Sequence, residues 1–155
     1  MSNISAHVTL AEATKSPTAK NLNIKNEPNK DQIDAMKYVS ENVFERVRNH
    51  FNKPIAVTSF FRNYVLNKAV GGSLTSQHCK GEAMDIDADI FGGVTNKQIF
   101  DYIKNNLDFD QLIWEFGNSL NPDWVHVSLV KGLNKREVLK AAKDANGRTF
   151  YKKMA

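Results

Sequence analysis

The chain has 155 residues, 41% of them hydrophobic. This is enough to bury the core of one domain without disulfides, and the single cysteine, Cys79, excludes an internal disulfide framework. The net charge of +4 favours polyanionic surroundings, but the lysines are scattered rather than grouped in a stripe, so we expect no nucleic-acid partner.

The sequence also carries information about location. No run of about 20 apolar residues occurs, so we expect no membrane-spanning helix and no membrane partner. The first 20 residues lack a basic region followed by an apolar run, so we expect no signal peptide and synthesis in the cytoplasm. We further expect a monomer with a single domain over residues 1–155, in which residues 1–27 form an N-terminal extension packed on the rest.

The first half of the chain is dominated by helix signals. Thr9 and Glu12 form a capping box, which predicts a short helix beginning there. Apolar residues then recur at every third or fourth position over residues 32–51, which is the stripe of one amphipathic helix. Residues 54–61 predict a strand, and residues 63–72 predict a helix that a pair of glycines ends.

Three strands are predicted between residues 83 and 130, and two of them alternate strictly. In AMDIDAD, residues 83–89, the apolar side chains face one side and Asp85 faces the other. In WVHVSLV, residues 124–130, Val125, Val127 and Leu129 face one side and His126 faces the other. If these strands are neighbours on one core, Asp85 and His126 project from the same open face of the sheet. QLIWEF, residues 111–116, is the third strand.

A helix and a hairpin complete the prediction. A second capping box, Thr95 with Gln98, opens a helix that ends near Asn106. Towards the C-terminus, the Asn146–Gly147 pair favours a hairpin between two strands over the helix that residue propensities also allow there. Together these elements predict an α+β fold, with a mostly antiparallel sheet and helices packed on one side.

The stretch SLTSQHCKGEAMDIDAD raises the question of a metal site. His78 precedes Asp85 by seven residues, across a bend that Gly81 permits. With His126, these residues would supply two imidazoles and one carboxylate, which is the ligand set of a catalytic zinc with one position left for water. From the residues alone, the alternative stays open that the histidines are partly buried side chains and that the aspartates face solvent.

Two motifs resemble one known family. SQHCKGEAMDID fits the signature Ser-x-His-x-x-Gly-x-Ala-x-Asp of the D-Ala-D-Ala-type zinc metallopeptidases, and DWVHVSL fits their Trp-x-His segment. Upstream, VTSFFRNYVLNKAVGGSLTSQH is similar to the corresponding run in the carboxypeptidase and phage endolysin branch. The resemblance covers roughly residues 27–133, and VTLAEATKSPTA near the start also looks like members of this branch. It implies the fold that these peptidases share with the Hedgehog signalling domain.

The resemblance implies a role for five residues. His78, Asp85 and His126 would bind one Zn²⁺ per chain. Asp123, three residues before the second histidine, would be the catalytic carboxylate that takes a proton from water and passes it to the leaving amine. Arg62 would hold the substrate and stabilise negative charge on the tetrahedral intermediate.

The roles of several residues have more than one interpretation. Glu115 competes for the role of base, although we favour a paired or solvated strand residue. Asp123 has the strand parity opposite to the open face, so the chain must turn to aim it inward. Ser76 would either bind substrate or cap the adjacent turn. Phe60 and Phe61 stand where the family has Gly-Tyr before Arg62, which puts the local backbone in question.

The function that the resemblance implies is a zinc-dependent peptidase that hydrolyses stem peptides of bacterial peptidoglycan, as a D-Ala-D-Ala carboxypeptidase or an L-Ala-D-Glu endopeptidase. The basic charge suits an anionic cell wall. Without a leader, we expect a phage or prophage lysis protein or virion component that acts after release. The alternative is a catalytically silent cell-wall-binding module on the same fold, which we would expect to have lost one of the site residues.

Overall fold

The computed structural model describes residues 3–154, so residues 1, 2 and 155 of the predicted domain lie outside it. The helices and strands follow in chain order as β1 (Asn3–Ser5), β2 (Val8–Thr9), α1 (Leu10–Thr14), α2 (Pro17–Asn21), α3 (Lys30–Val39), α4 (Glu45–Phe51), β3 (Ala56–Ser59), α5 (Tyr64–Ala69), β4 (Ala83–Asp87), α6 (Asn96–Asn106), β5 (Gln111–Glu115), β6 (Trp124–Ser128), β7 (Glu137–Lys143) and β8 (Thr149–Lys153). A π-helical turn (Ser40–Phe44) joins α3 to α4, and 3₁₀ turns occupy Gln77–Lys80 and Ala88–Ile90.

The capping boxes form as predicted. The Thr9 side chain accepts a hydrogen bond from the backbone N–H of Glu12 and begins α1, and Thr95 does the same with Gln98 at α6. The predicted helix over residues 32–51 exists, but a wider turn interrupts it. A 3.6-residue pattern cannot reveal such a turn, since the apolar stripe continues through it.

Six strands form one mixed sheet in the order β3-β4-β6-β5-β7-β8. Within this sheet the pairing of β5 with β7 is parallel, and the other four pairings are antiparallel. The predicted C-terminal hairpin is confirmed, because β7 and β8 are antiparallel neighbours joined by a turn through Gly147, whose φ is 77°. The fold is therefore α+β.

The core lies between one face of this sheet and the helices. Sheet residues at alternate positions and the apolar stripes of α3, α4 and α6 bury one another; they include Met84, Ile86, Leu112, Trp114, Val125 and Val127 on the strands and Met36, Val39, Val47, Ile99 and Ile103 on the helices. The alternate residues of β4, β5 and β6 consequently project from the opposite face. That open face carries the candidate site.

The N-terminal segment packs against the same core. Ile4 and Val8 are buried in it, and the N–H of Phe61 donates a hydrogen bond to the carbonyl of Ala13 at 2.9 Å. No helix among residues 3–154 is both long and apolar enough to cross a membrane. The fold thus presents one sheet whose open face is available to a ligand.

Candidate metal centre

Strand register brings Asp85 and His126 together. β4 and β6 are antiparallel neighbours, and Asp85 is the direct cross-strand partner of His126. Directly opposed side chains lie on the same face of a sheet, so both project away from the core. The Nδ1 atom of His126 lies 3.0 Å from Oδ1 of Asp85. The prediction from strand alternation is confirmed for these two residues.

A tight turn brings His78 to the same place. The 3₁₀ turn that carries it begins at Ser76, whose Oγ accepts a hydrogen bond from the His78 N–H at 3.3 Å. It ends at Gly81, whose φ is 75°. A Cβ at position 81 would lie 2.5 Å from the carbonyl oxygen of Gln32, so only glycine fits there. The turn places Nε2 of His78 3.4 Å from Oδ1 of Asp85.

The donor atoms of these three residues suit a metal ion. One atom from each of His78, Asp85 and His126 lies within 4.8 Å of the others. The Nδ1 atom of His78 lies 2.7 Å from the carbonyl oxygen of Phe60, which can only accept, so Nδ1 carries the hydrogen and the Nε2 lone pair is free. A backbone carbonyl behind a ligating histidine is the usual way to fix its tautomer and ring orientation.

The carboxylate of Asp85 is held in its ionised form. Burial opposes its ionisation, but when the imidazoles are protonated, the charge of His78 and the hydrogen bonds from His126 and His78 outweigh burial and hold the pKa of Asp85 well below its usual range. With neutral imidazoles, a bound cation would supply the positive charge in their place. A metal-binding carboxylate must be deprotonated, so this environment favours the state that binds a cation.

These residues open into a cavity of about 790 Å³. The cavity is lined by the three candidate ligands and by further polar, aromatic and basic side chains, among them Arg62, Ser76, Lys80, Glu115, Phe116, Trp124, Lys135, Lys143 and Tyr151. Ser76 caps the turn that carries His78, and it also borders the cavity, so its position is consistent with both expected roles.

Arg62 lines the cavity, and its side chain forms no salt bridge within residues 3–154. Its Nε is buried and has no hydrogen-bond partner, and no carboxylate of residues 3–154 lies within 4.0 Å of its guanidinium. Phe60 and Phe61, which replace the Gly-Tyr of the resemblance, are buried in the core. The local backbone is fixed because the N–H of Arg62 donates to the carbonyl of His78 at 3.2 Å. A half-buried guanidinium with no counterion among the described residues suits an anionic or carbonyl ligand.

Glu115 also lies at this site. It ends β5 on the open face as the cross-strand partner of Trp124, and it is only 7% exposed. Its carboxylate has no salt bridge to another residue in the range 3–154 and faces the cavity, so of the two expected alternatives the paired glutamate is not formed. Burial raises the pKa of Glu115 to about 7; the charge of His126 opposes this rise and that of Asp85 adds to it.

Asp123 is placed differently. Its side chain is exposed, and it is not among the residues that line the cavity. Its backbone is fixed, since its N–H donates to the carbonyl of Glu115 at 2.8 Å and its carbonyl accepts from Nδ2 of Asn96. The structure thus brings together His78, Asp85 and His126 with Arg62 and Ser76, but not Asp123.

Comparison with known proteins gives one match. A family model described as Peptidase M15 matches residues 6–128, which include all the candidate ligands and every strand of the sheet up to β6. Comparison with curated proteins gives no significant match. The matched range ends before β7 and β8.

Proposed function

Because the chain belongs to the peptidase M15 family, and is therefore a metallopeptidase, we propose that it is a zinc-dependent enzyme that hydrolyses stem peptides of bacterial peptidoglycan. The observation that carries this proposal is the convergence of His78 Nε2, Asp85 Oδ1 and His126 Nδ1 at the floor of a large open cavity. The net charge of +4 favours association with an anionic wall.

We propose His78, Asp85 and His126 as the protein ligands. Two histidines and one carboxylate leave one position for water, which distinguishes a catalytic zinc set from a closed structural one. A Zn²⁺ ion bound there would supply a Lewis acid that polarises a peptide carbonyl and makes water acidic enough to ionise near pH 7. The residues around it must then orient the peptide and move protons.

Arg62 is proposed to hold the substrate. Its guanidinium is charged at every relevant pH and lacks a counterion among the described residues, so it can donate hydrogen bonds to a carboxylate or to the oxygen of the scissile carbonyl. Such a donor stabilises the transition state when negative charge develops on that oxygen. The hydrogen bond from its N–H to the carbonyl of His78 links its position to that of a proposed ligand.

We propose Glu115 as the general base, with Asp123 as the second candidate. A base for hydrolysis near neutral pH works best with a pKa close to the working pH, and burial raises the pKa of Glu115 to about 7. It lines the cavity, from which Asp123 is missing. Asp123 is supported by its position three residues before His126, where the related peptidases have their catalytic carboxylate.

We also propose that residues 1–155 act as one domain, in which the segment 1–27 is an integral part. Ile4 and Val8 in the main core support this. Association with a phage or prophage, and the monomeric state, stay predictions.

The deciding experiment is digestion of purified peptidoglycan by the zinc-loaded protein, with the released ends identified by mass spectrometry. New N-terminal D-Glu identifies an L-Ala-D-Glu endopeptidase, and free D-Ala identifies a D-Ala-D-Ala carboxypeptidase. If zinc-loaded protein binds the wall but releases no product over long incubation, the hydrolase proposal is rejected in favour of a silent binding module.

A further inference from the structure

The C-terminal hairpin forms one wall of the cavity. β7 and β8 lie wholly beyond residue 128, where the family match ends, yet Leu139, Lys143, Thr149 and Tyr151 all line the cavity. The part of the chain that the family model covers therefore does not build the complete cleft. Residues that are specific to this hairpin can select among substrates that the common centre would accept.

Register places Tyr151 beside the site. Glu115 pairs with Ala141 across the parallel β5–β7 ladder, and Ala141 pairs with Tyr151 across β7–β8. Paired residues share a face, so these three side chains stand in one row on the open face. Ala141 is fully buried between them, and the cavity is lined by Glu115 and Tyr151 on either side of it. Tyr151 itself is 53% exposed at the edge of the cavity.

The electrostatic environment agrees with this placement. The pKa of Tyr151 is raised, first by partial burial and then by the negative charges of Glu115 and Asp85. The phenol therefore stays protonated throughout the neutral range and is a hydrogen-bond donor to whatever occupies the cavity.

Lys143 supplies a cation next to this phenol. Its Nζ donates one hydrogen bond, to Oγ1 of Thr149 at 2.8 Å, and lies 5.3 Å from the centroid of the Phe116 ring. An ammonium has three donors, and no carboxylate in the described part of the chain lies within 4.0 Å of this one. Lys143 and Tyr151 occupy diagonal positions of the β7–β8 ladder, within reach of a shared ligand.

We propose that Lys143 and Tyr151 form a subsite for a substrate residue that carries a free carboxylate, and that this subsite sets the specificity of the cleft. A carboxylate accepts charge-assisted hydrogen bonds from an ammonium and a phenol together, whereas a carboxamide at the same place gains no attraction from the charge. This proposal rests on the proposed peptidase function, because it treats the cavity as a peptide-binding cleft. Arg62 lies on the opposite side of the metal-binding residues, on the segment that precedes α5.

The test compares synthetic stem peptides that have all carboxylates free with the same peptides amidated at one carboxylate at a time. The zinc-loaded wild type, Lys143→Met and Tyr151→Phe are assayed for kcat and KM, and for Kd by calorimetry wherever a peptide is bound but not cleaved. Lys152→Met is the matched control, since it removes a lysine from the opposite face of β8, as shown by its pairing with Lys140.

We expect the wild type to prefer the free carboxylate at one position by about tenfold or more. Lys143→Met should abolish most of this preference through KM or Kd. Tyr151→Phe should reduce the preference by a smaller factor, and Lys152→Met should keep it. An unchanged preference in Lys143→Met, or no preference in the wild type, overturns the subsite. Absence of turnover with the binding preference intact overturns the peptidase function but supports the subsite.

Discussion

Two clusters of this molecule combine a buried carboxylate with histidine, and they differ in whether the carboxylate is left open. At the metal centre, Oδ1 of Asp85 is shared by His78 and His126 at the floor of a cavity. In the second cluster, Glu45 at the start of α4 joins the N-terminal strand to the helix. Both clusters look alike as a list of residue types, but they are suited to different tasks.

Every oxygen of Glu45 is already satisfied. Oε2 accepts hydrogen bonds from Oγ of Ser5 and from the N–H of His7, and Oε1 pairs with Nδ1 of His7 at 2.6 Å. Ser5 also contacts the hydroxyl of Ser40. The π-helical turn makes this possible, because its bond from the N–H of Glu45 to the carbonyl of Ser40 places residues five apart on one side of the helix.

The difference shows how to distinguish an anchor from a site. An anchor uses its polar atoms on one another and on the backbone, so that nothing remains for a ligand. At the metal centre, the backbone satisfies only the far nitrogen of His78, and one ligand atom from each of His78, Asp85 and His126 lies within 4.8 Å of the others. Substitutions at the metal centre should therefore reduce metal binding, whereas substitutions in the Glu45 cluster should reduce stability.

The largest effect is expected from removal of a proposed metal ligand. His78→Ala and His126→Ala should each lose zinc and reduce peptidase activity by more than about 10³-fold, because the Lewis acid supplies several kcal/mol of transition-state stabilisation. Zinc content by elemental analysis and turnover on peptidoglycan are the measurements. Glu45→Gln is the matched control and should retain one zinc per chain; full zinc occupancy in both histidine variants contradicts the ligand assignment.

The second largest effect is expected from substitution of the proposed general base. Glu115→Gln should keep zinc and lose about 10²- to 10⁴-fold in kcat, which is the usual contribution of general acid–base catalysis. Asp123→Asn should change kcat little, since its exposed side chain does not line the cavity. The reverse result, with a large loss in Asp123→Asn alone, would return the role to the residue that the family resemblance implies.

The residues of the open face show how much of the candidate site could be predicted from the sequence. Strand alternation placed Asp85 and His126 on one face once the two strands were assumed to be neighbours on one core, because a period of two fixes the side of every residue when the apolar side is known. The same rule, applied to the buried Leu112 and Trp114, places Glu115 on the open face. That signal was present in QLIWEF, but its use required knowing that β5 is the neighbour of β6.

Other features had no local signal. The parallel pairing of β5 with β7 depends on where the chain returns after β6, which periodicity does not report. The contact between Glu45 and the N-terminal strand joins residues about 40 positions apart through a turn that looks like ordinary helix in the sequence. The C-terminal hairpin was predictable from the sequence, but its position in the sheet was not. The cavity wall that the hairpin forms could therefore not be predicted.

The next prediction concerns the pH dependence of stability, which should have opposite signs for Glu115 and Glu45. Burial raises the pKa of Glu115 from 4.5 to about 7, so its protonated form stabilises the fold below pH 4.5 and this contribution is lost as the pH rises through about 7. In metal-free protein, Glu115→Gln should therefore gain about 3 kcal/mol relative to wild type between pH 5 and pH 8. Urea unfolding at both pH values measures it; an equal difference at the two pH values contradicts the raised pKa.

The smallest effect is expected at the anchor and has the opposite sign. Burial works against ionisation of Glu45, but hydrogen bonds from His7 and Ser5 outweigh it and lower the pKa. Its ionised form therefore stabilises the fold above pH 4.5, and this contribution is lost as the pH falls through the lowered pKa. Glu45→Gln should cost about 2 kcal/mol at pH 7, the range for hydrogen bonds to a charged group, and less at pH 3.

Urea unfolding of Glu45→Gln at pH 7 and pH 3, beside Glu41→Gln on the exposed side of the same helical region, measures this contribution. The control should be neutral, because an exposed glutamate contributes little. If the anchor holds only the N-terminal strand, zinc content and kcat stay at wild-type values while stability falls. Loss of zinc together with stability would instead mean that the strand and the metal centre are coupled through the helical layer that supports the sheet, and the division between anchor and site would fail.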